Sequence, residues 1–184
     1  MRPHAGLPDG DVPVSRRSVL AGSVATSTLA VAAPITTFAA AEDDKQFMRI
    51  AIDEARRADF PFGTVIVQGG RIIARGRNLG RSQDDPTAHG EMVAIRRCLM
   101  QHGSRSLKGA TLYTSGEPCA MCMGAMLWCH MGRLVFAASV QQLASKIDQI
   151  MLSSGDLAAK APFAPISITG GVLADMAMQL FDKR

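Results

Sequence analysis

The chain has few cysteines, little net charge and no apolar run of membrane length. Its four cysteines, Cys98, Cys119, Cys122 and Cys129, do not read as a disulfide framework. Cys98 and Cys129 fall in helical patterns, where a buried free thiol is expected, and no spacing supports their pairing. The stretch from Ala21 to Ala33 is apolar but short, and Pro34 interrupts it, which argues against a membrane anchor. A net charge of +4 over 184 residues is a modest excess for a protein that must neutralise many phosphates. Beyond residue 41 there is no repeat and no low-complexity tract, and a composition 47% hydrophobic and 20% charged suits one globular domain. The single tryptophan, Trp128, reads as a core or subunit-contact residue rather than a stacking platform.

Residues 1–41 do not read as fold. Ser15-Arg16-Arg17-Ser18-Val19-Leu20 is a twin-arginine pattern, and Ala39-Ala40-Ala41 supplies an A-x-A cleavage site before Glu42-Asp43-Asp44. This layout predicts a cleaved export signal over 1–41, the twin-arginine route, a periplasmic location and no membrane attachment after cleavage. Cleavage removes Arg2, Arg16 and Arg17 with Asp9 and Asp11, so +4 becomes +3. A nucleic-acid partner is therefore not expected.

What the chain does have is concentrated in two stretches, Pro86-Thr87-Ala88-His89-Gly90-Glu91 and Pro118-Cys119-Ala120-Met121-Cys122. They offer one imidazole and two thiols, three corners of a zinc tetrahedron. Structural zinc sites take four protein ligands, and catalytic ones keep the fourth position for water. Three ligands with a carboxylate nearby read as a hydrolytic site, because zinc brings the pKa of a bound water to about 7. Thr87 is the expected N-cap of a helix over Ala88–Leu99, and Pro118 the expected first residue of a helix reaching about Cys129. Cys119 and Cys122 then share a face, and a first-turn thiol is drawn toward the thiolate by the helix dipole. Glu91 lies two residues beyond His89 and points elsewhere, a poor fourth ligand. The predicted roles are His89, Cys119 and Cys122 as zinc ligands and Glu91 as general acid and base. A lone C-x-x-C could be a redox pair or half of a zinc knuckle, and a lone H-x-E is close to noise. Together they match the zinc deaminase signature.

On these residues the chain resembles the cytidine-deaminase-like superfamily, in the branch of guanine, cytosine and tRNA adenosine deaminases, from about Phe47 to Phe181. The resemblance also rests on Asn78, Asp85, Leu112-Tyr113-Thr114-Ser115-Gly116-Glu117 and Gly124-Ala125-Met126. It implies that Asn78 hydrogen-bonds the base, that Phe62 and Gly90 border it, and that two copies form a homodimer. Pro61-Phe62-Gly63, Tyr113-Thr114-Ser115 and Trp128 are most similar to bacterial guanine deaminases. Gly90 between His89 and Glu91 resembles fungal cytosine deaminase, and Ile168 to Asp175 resembles tRNA adenosine deaminases. Guanine deaminases of this type use further acids toward the C-terminus; Asp148 is the candidate proton relay, and Thr169-Gly170-Gly171 lacks one. The implied activity is hydrolytic deamination of a free nucleobase or nucleoside, guanine-like first. A cytosine- or adenosine-type enzyme and a non-catalytic zinc-binding relative are the alternatives. The presence of both Glu91 and Asn78 opposes the last.

Strands alternating with helices predict an α/β fold, a three-layer α/β/α sandwich around a mostly five-stranded mixed sheet. Helix is expected over Glu42–Asp59, with Phe47, Ile50, Ala51 and Ala55 inward. Strands are expected over Gly63–Val67 and Arg71–Ala74 about a Gly69-Gly70 turn, over Ala110–Ser115, over Arg133–Ala138 and near Pro165–Ile168. Two further helices are expected over Val140–Leu152 and Leu173–Phe181. Met121, Met123, Met126 and Met131 read as packing and interface residues, and His102 and His130 as surface residues at helix ends.

Overall fold

A computed structural model describes residues 35–182. The expected export signal lies for the most part outside the described residues. The first helix, α1 (Ile35–Arg56), starts seven residues before the expected Glu42 and stops short of Asp59. Its buried stripe is Met48, Ala51, Ile52 and Ala55, with Phe47 and Ile50 on the flanks. Among the described residues no helix is long and apolar enough to cross a membrane.

Five strands form one sheet in the order β2-β1-β3-β4-β5: β1 (Gly63–Gln68), β2 (Arg71–Arg77), β3 (Thr111–Gly116), β4 (Arg133–Ala138) and β5 (Ser167–Thr169). β1 pairs antiparallel with β2 and β3, whereas β3–β4 and β4–β5 are parallel. Gly69 and Gly70, at φ of 56° and 73°, make the β1–β2 hairpin turn, a backbone that side chains disfavour. Strand alternation divides the core. Val65, Val67, Tyr113 and Val135 pack against α1, while Ile66, Leu112 and Leu134 face α2 (Gly90–His102) and α3 (Ala120–Trp128). β3 and β4 are therefore buried along nearly their whole length, as strands covered on both faces must be. The three-layer mixed-sheet sandwich expected from the sequence is the fold observed.

α1 is fastened to the sheet by charge as well as by packing. Asp44 accepts from Arg133 Nη1 at 2.8 Å and Nη2 at 2.6 Å, and from the Tyr113 hydroxyl at 2.9 Å. On the opposite layer the backbones meet directly, because a Cβ on Gly76 would fall on the Gly90 carbonyl and the Ala94 amide. That contact seats the start of α2 on β2.

Of the expected helix over Val140–Leu152 only α4 (Val140–Ala144) forms, and a second short helix, α5 (Ser154–Ala158), begins two residues beyond it. Ser139 closes a capping box with Gln142, and Ser153 caps α5 through the Asp156 amide. Both helices start against the same buried carboxylate: Glu117 accepts from Val140 N at 2.9 Å and from Ser154 N at 2.8 Å. The chain has to leave Glu117 and return to it, so one continuous helix is impossible. The last helix, α6 (Ala174–Met178), is shorter than Leu173–Phe181, because Leu173 adopts φ 59° at its start. Trp128 is 74% exposed, not core, with its ring edge-on to Phe163 at 4.9 Å. Met123, Met126 and Met131 are buried, and all four cysteines are free.

Candidate metal centre

β2 runs antiparallel to β1, as β3 does, so β2 and β3 end at the same edge of the sheet. The chain leaving each of them enters a helix there, and the two helix starts face one another, the usual ligand position in such sheets. The N-cap of α2 is His89, not Thr87, and the N-cap of α3 is Cys119, with Pro118 outside the helix. Thr87 is unavailable as a cap because Asp85 Oδ1 accepts from its amide at 2.8 Å and its hydroxyl at 2.6 Å. That local turn uses up three residues before the helix can begin.

The two starts bring His89, Cys119 and Cys122 together, the one group of three or more donors among the described residues that could hold a metal. His89 Nδ1 lies 3.7 Å from Cys119 Sγ and 3.6 Å from Cys122 Sγ, and the two sulfurs are 3.8 Å apart. Zinc bonds of about 2.3 Å to sulfur and 2.0–2.1 Å to nitrogen, at tetrahedral angles, place two sulfurs ~3.8 Å apart and a sulfur and nitrogen ~3.5–3.6 Å apart. The three donors thus stand at three corners of a zinc tetrahedron, and they fit Zn2+. His89 and Cys119 are half-buried and Cys122 is buried.

Without metal the trio shares its protons unevenly. The Cys122 thiol, then the His89 imidazole, hold Cys119 down at about 4, while Cys119 and burial push Cys122 well above the usual thiol range. His89 is raised, by Cys119 first. Metal binding therefore expels protons from Cys122 and His89.

Glu91, 4% exposed, lies in the first turn of α2, and its carboxyl reaches Cys122 closely enough to raise that thiol. Burial raises the Glu91 carboxyl itself. Its Oε1 accepts from Thr114 Oγ1 at 3.1 Å, and Thr114 Oγ1 accepts from Thr64 Oγ1 at 3.3 Å. Neither threonine had a role assigned from the sequence, nor did Glu117 behind the Cys119 loop. The available signal was a hydroxyl at each of two positions in otherwise apolar strand faces.

Asn78 is buried at the end of β2; its Oδ1 accepts from Gly80 N at 3.1 Å, which turns the amide NH2 the other way. Its backbone N–H donates to the Phe62 carbonyl at 2.9 Å. Gly90 is buried, and a Cβ there would stand 3.1 Å from Thr64 Oγ1 and 3.2 Å from the Phe62 carbonyl. The Phe62 ring belongs to a cluster with Phe60 and Phe181, at 5.7 and 5.6 Å, and lies over Gly116. Asp148 is exposed in the segment between α4 and α5.

A three-layer sandwich with a three-donor metal site at its helix starts defines a class of zinc proteins. The chain belongs to the family described as the cytidine and deoxycytidylate deaminase zinc-binding region, whose model matches residues 41–138. Guanine deaminase of Bacillus subtilis is 47% identical over 78 residues, covering 42% of this chain and 50% of that protein. The tRNA-specific adenosine deaminase of Bacillus subtilis is 40% identical over 99 residues, 52% of this chain and 62% of that protein. Among solved structures, one from a study of A-to-I editing by tRNA:A34 deaminases superposes with a TM-score of 0.64 at 30% identity, covering 73% of this chain and 98% of that one. The chain thus spans about half the length of the guanine deaminase it matches.

Proposed function

We propose that this chain is a zinc-dependent hydrolase that deaminates a free nucleobase or nucleoside, a guanine-like purine first, with release of ammonia. The observation that carries the reading is a buried carboxyl, Glu91, set against a His/Cys/Cys trio with the edge lengths of a zinc tetrahedron. Zinc bound there supplies an acidified water. Glu91 moves protons between the attacking water, the ring nitrogen and the departing amino group, and burial raises its carboxyl, which favours its holding a proton. Asn78 offers its amide NH2 to the ring, with Phe62 and Gly90 as further substrate contacts. Water adds at the amino-bearing carbon, the C–N bond breaks, and the products are the oxo base and ammonia.

The guanine preference is supported by the 47% identity to a guanine deaminase. Adenosine in tRNA is the second reading, favoured by the 98% coverage of the solved tRNA deaminase chain. The twin-arginine pattern at Arg16-Arg17 supports export to the periplasm, which separates the protein from tRNA. The exposed apolar surface at Trp128 and Met100 supports a homodimer.

The test is ammonia release by the zinc-loaded full chain from guanine, guanosine, adenine, adenosine, cytosine, cytidine and an unmodified tRNA. Release from guanine first is expected, and Glu91→Ala should abolish it with zinc still bound. Full activity of Glu91→Ala would overturn the role given to that residue, and turnover of tRNA alone would overturn the substrate class. Recovery of the protein only from the cytoplasm would overturn export.

A further inference from the structure

We infer that Thr114, supported by Thr64, is a positioning residue that fixes the orientation of the Glu91 carboxyl. This deepens the reading of Glu91 as the proton carrier and rests on it. β1 and β3 pair in a register that sets Thr64 directly opposite Thr114. Alternation along β3 turns Thr114 to the same face as Leu112, the face covered by α2 and α3. Both threonines are fully buried. A valine has nearly the same shape and would fill either place among these apolar neighbours without burying a hydroxyl. What the hydroxyls add is a directed ladder: Thr64 donates to Thr114 at 3.3 Å, and Thr114 donates to Glu91 Oε1 at 3.1 Å.

A hydroxyl has one proton to give. Thr114 gives its proton to Oε1 while its own oxygen is occupied by the Thr64 proton, so the ladder has one polarity. The carboxyl plane is thereby fixed by a contact from the sheet rather than from its own helix. Position 90 is part of the device. Gly90 precedes Glu91, and a Cβ there would press on Thr64 Oγ1, the foot of the ladder, at 3.1 Å.

The experiment compares zinc-loaded full-length Thr114→Val, Thr114→Ser and Thr64→Val with the unaltered chain, using whichever substrate of the panel is turned over. With the Glu91 carboxyl no longer held in place, kcat should fall about tenfold or more in Thr114→Val, with KM within about twofold. Thr114→Ser should recover to within about threefold, and Thr64→Val should lose about two- to threefold, acting only through Thr114. Zinc content should equal that of the unaltered chain throughout. Crystal structures give an arm independent of turnover: the Glu91 carboxyl should rotate in Thr114→Val and return in Thr114→Ser. An unmoved carboxyl, an unchanged kcat in Thr114→Val, or loss of zinc from that variant would each overturn the inference. Silence of the unaltered chain across the panel would sink the proposed activity instead, and the carboxyl position would still decide the role of Thr114.

Discussion

Asp44→Ala removes one acceptor on which three donors converge. The carboxylate is 6% exposed and takes two hydrogen bonds from Arg133 and one from Tyr113. Deleting one partner of a buried pair costs about 3–5 kcal/mol. Two features of the site move the value within that range. Arg133 keeps 30% of its side chain in water and a second acceptor in Thr169 Oγ1 at 3.2 Å, so its orphaned guanidinium is partly rehydrated. The Tyr113 hydroxyl is shut in, and an unsatisfied buried donor costs about 1–3 kcal/mol. The expected loss is ~3 kcal/mol. Asp44→Asn keeps one acceptor oxygen and should recover roughly half of it. Urea unfolding of the zinc-saturated chain reads the difference as a shift in midpoint at constant slope. A loss below about 1 kcal/mol would refute the argument and leave α1 held by apolar packing alone.

Two further outcomes follow from the metal centre and its seat. In the metal-free chain, iodoacetamide at pH 6 should modify Cys119 ahead of Cys98, Cys122 and Cys129. A thiol held at about 4 is thiolate above that pH and is lost only as the pH falls through it, so the rate should be flat above about pH 5. A rate that climbs only through pH 8–9 would contradict this. Gly76→Ala should push α2 off β2, lowering stability by about 1–3 kcal/mol and weakening zinc retention against a chelator. Unchanged retention would mean that α2 does not depend on that contact.

The metal trio was readable because its spacing is local. One imidazole and a C-x-x-C pair need only two helix starts to meet, and Pro86 and Pro118 marked where the starts would be. Both starts were misplaced by two residues, because the Asp85 turn withdraws the Thr87 hydroxyl and both N-cap positions carry metal donors instead of cap oxygens. β4 was legible to the residue, being a buried parallel strand whose apolar run is continuous. The segment after it was not, since Glu117 anchors the start of one helix 23 residues away and of another 37 away. No local pattern records a distant carboxylate. Thr64 and Thr114 carried their signal in a pairing register, which a single strand does not reveal.

The donors of the metal centre lie 30 residues apart in the chain. A metal held at both ends therefore closes a ring that contains all of α2 and β3. For as long as it stays bound, it confines the unfolded chain as well as the folded one, much as a disulfide across about thirty residues would, by roughly 3–4 kcal/mol. Unlike a disulfide, this tie is set by concentration: a chelator opens it and free zinc closes it. The melting temperature of this protein should then serve as a gauge of the metal around it, quite apart from any substrate.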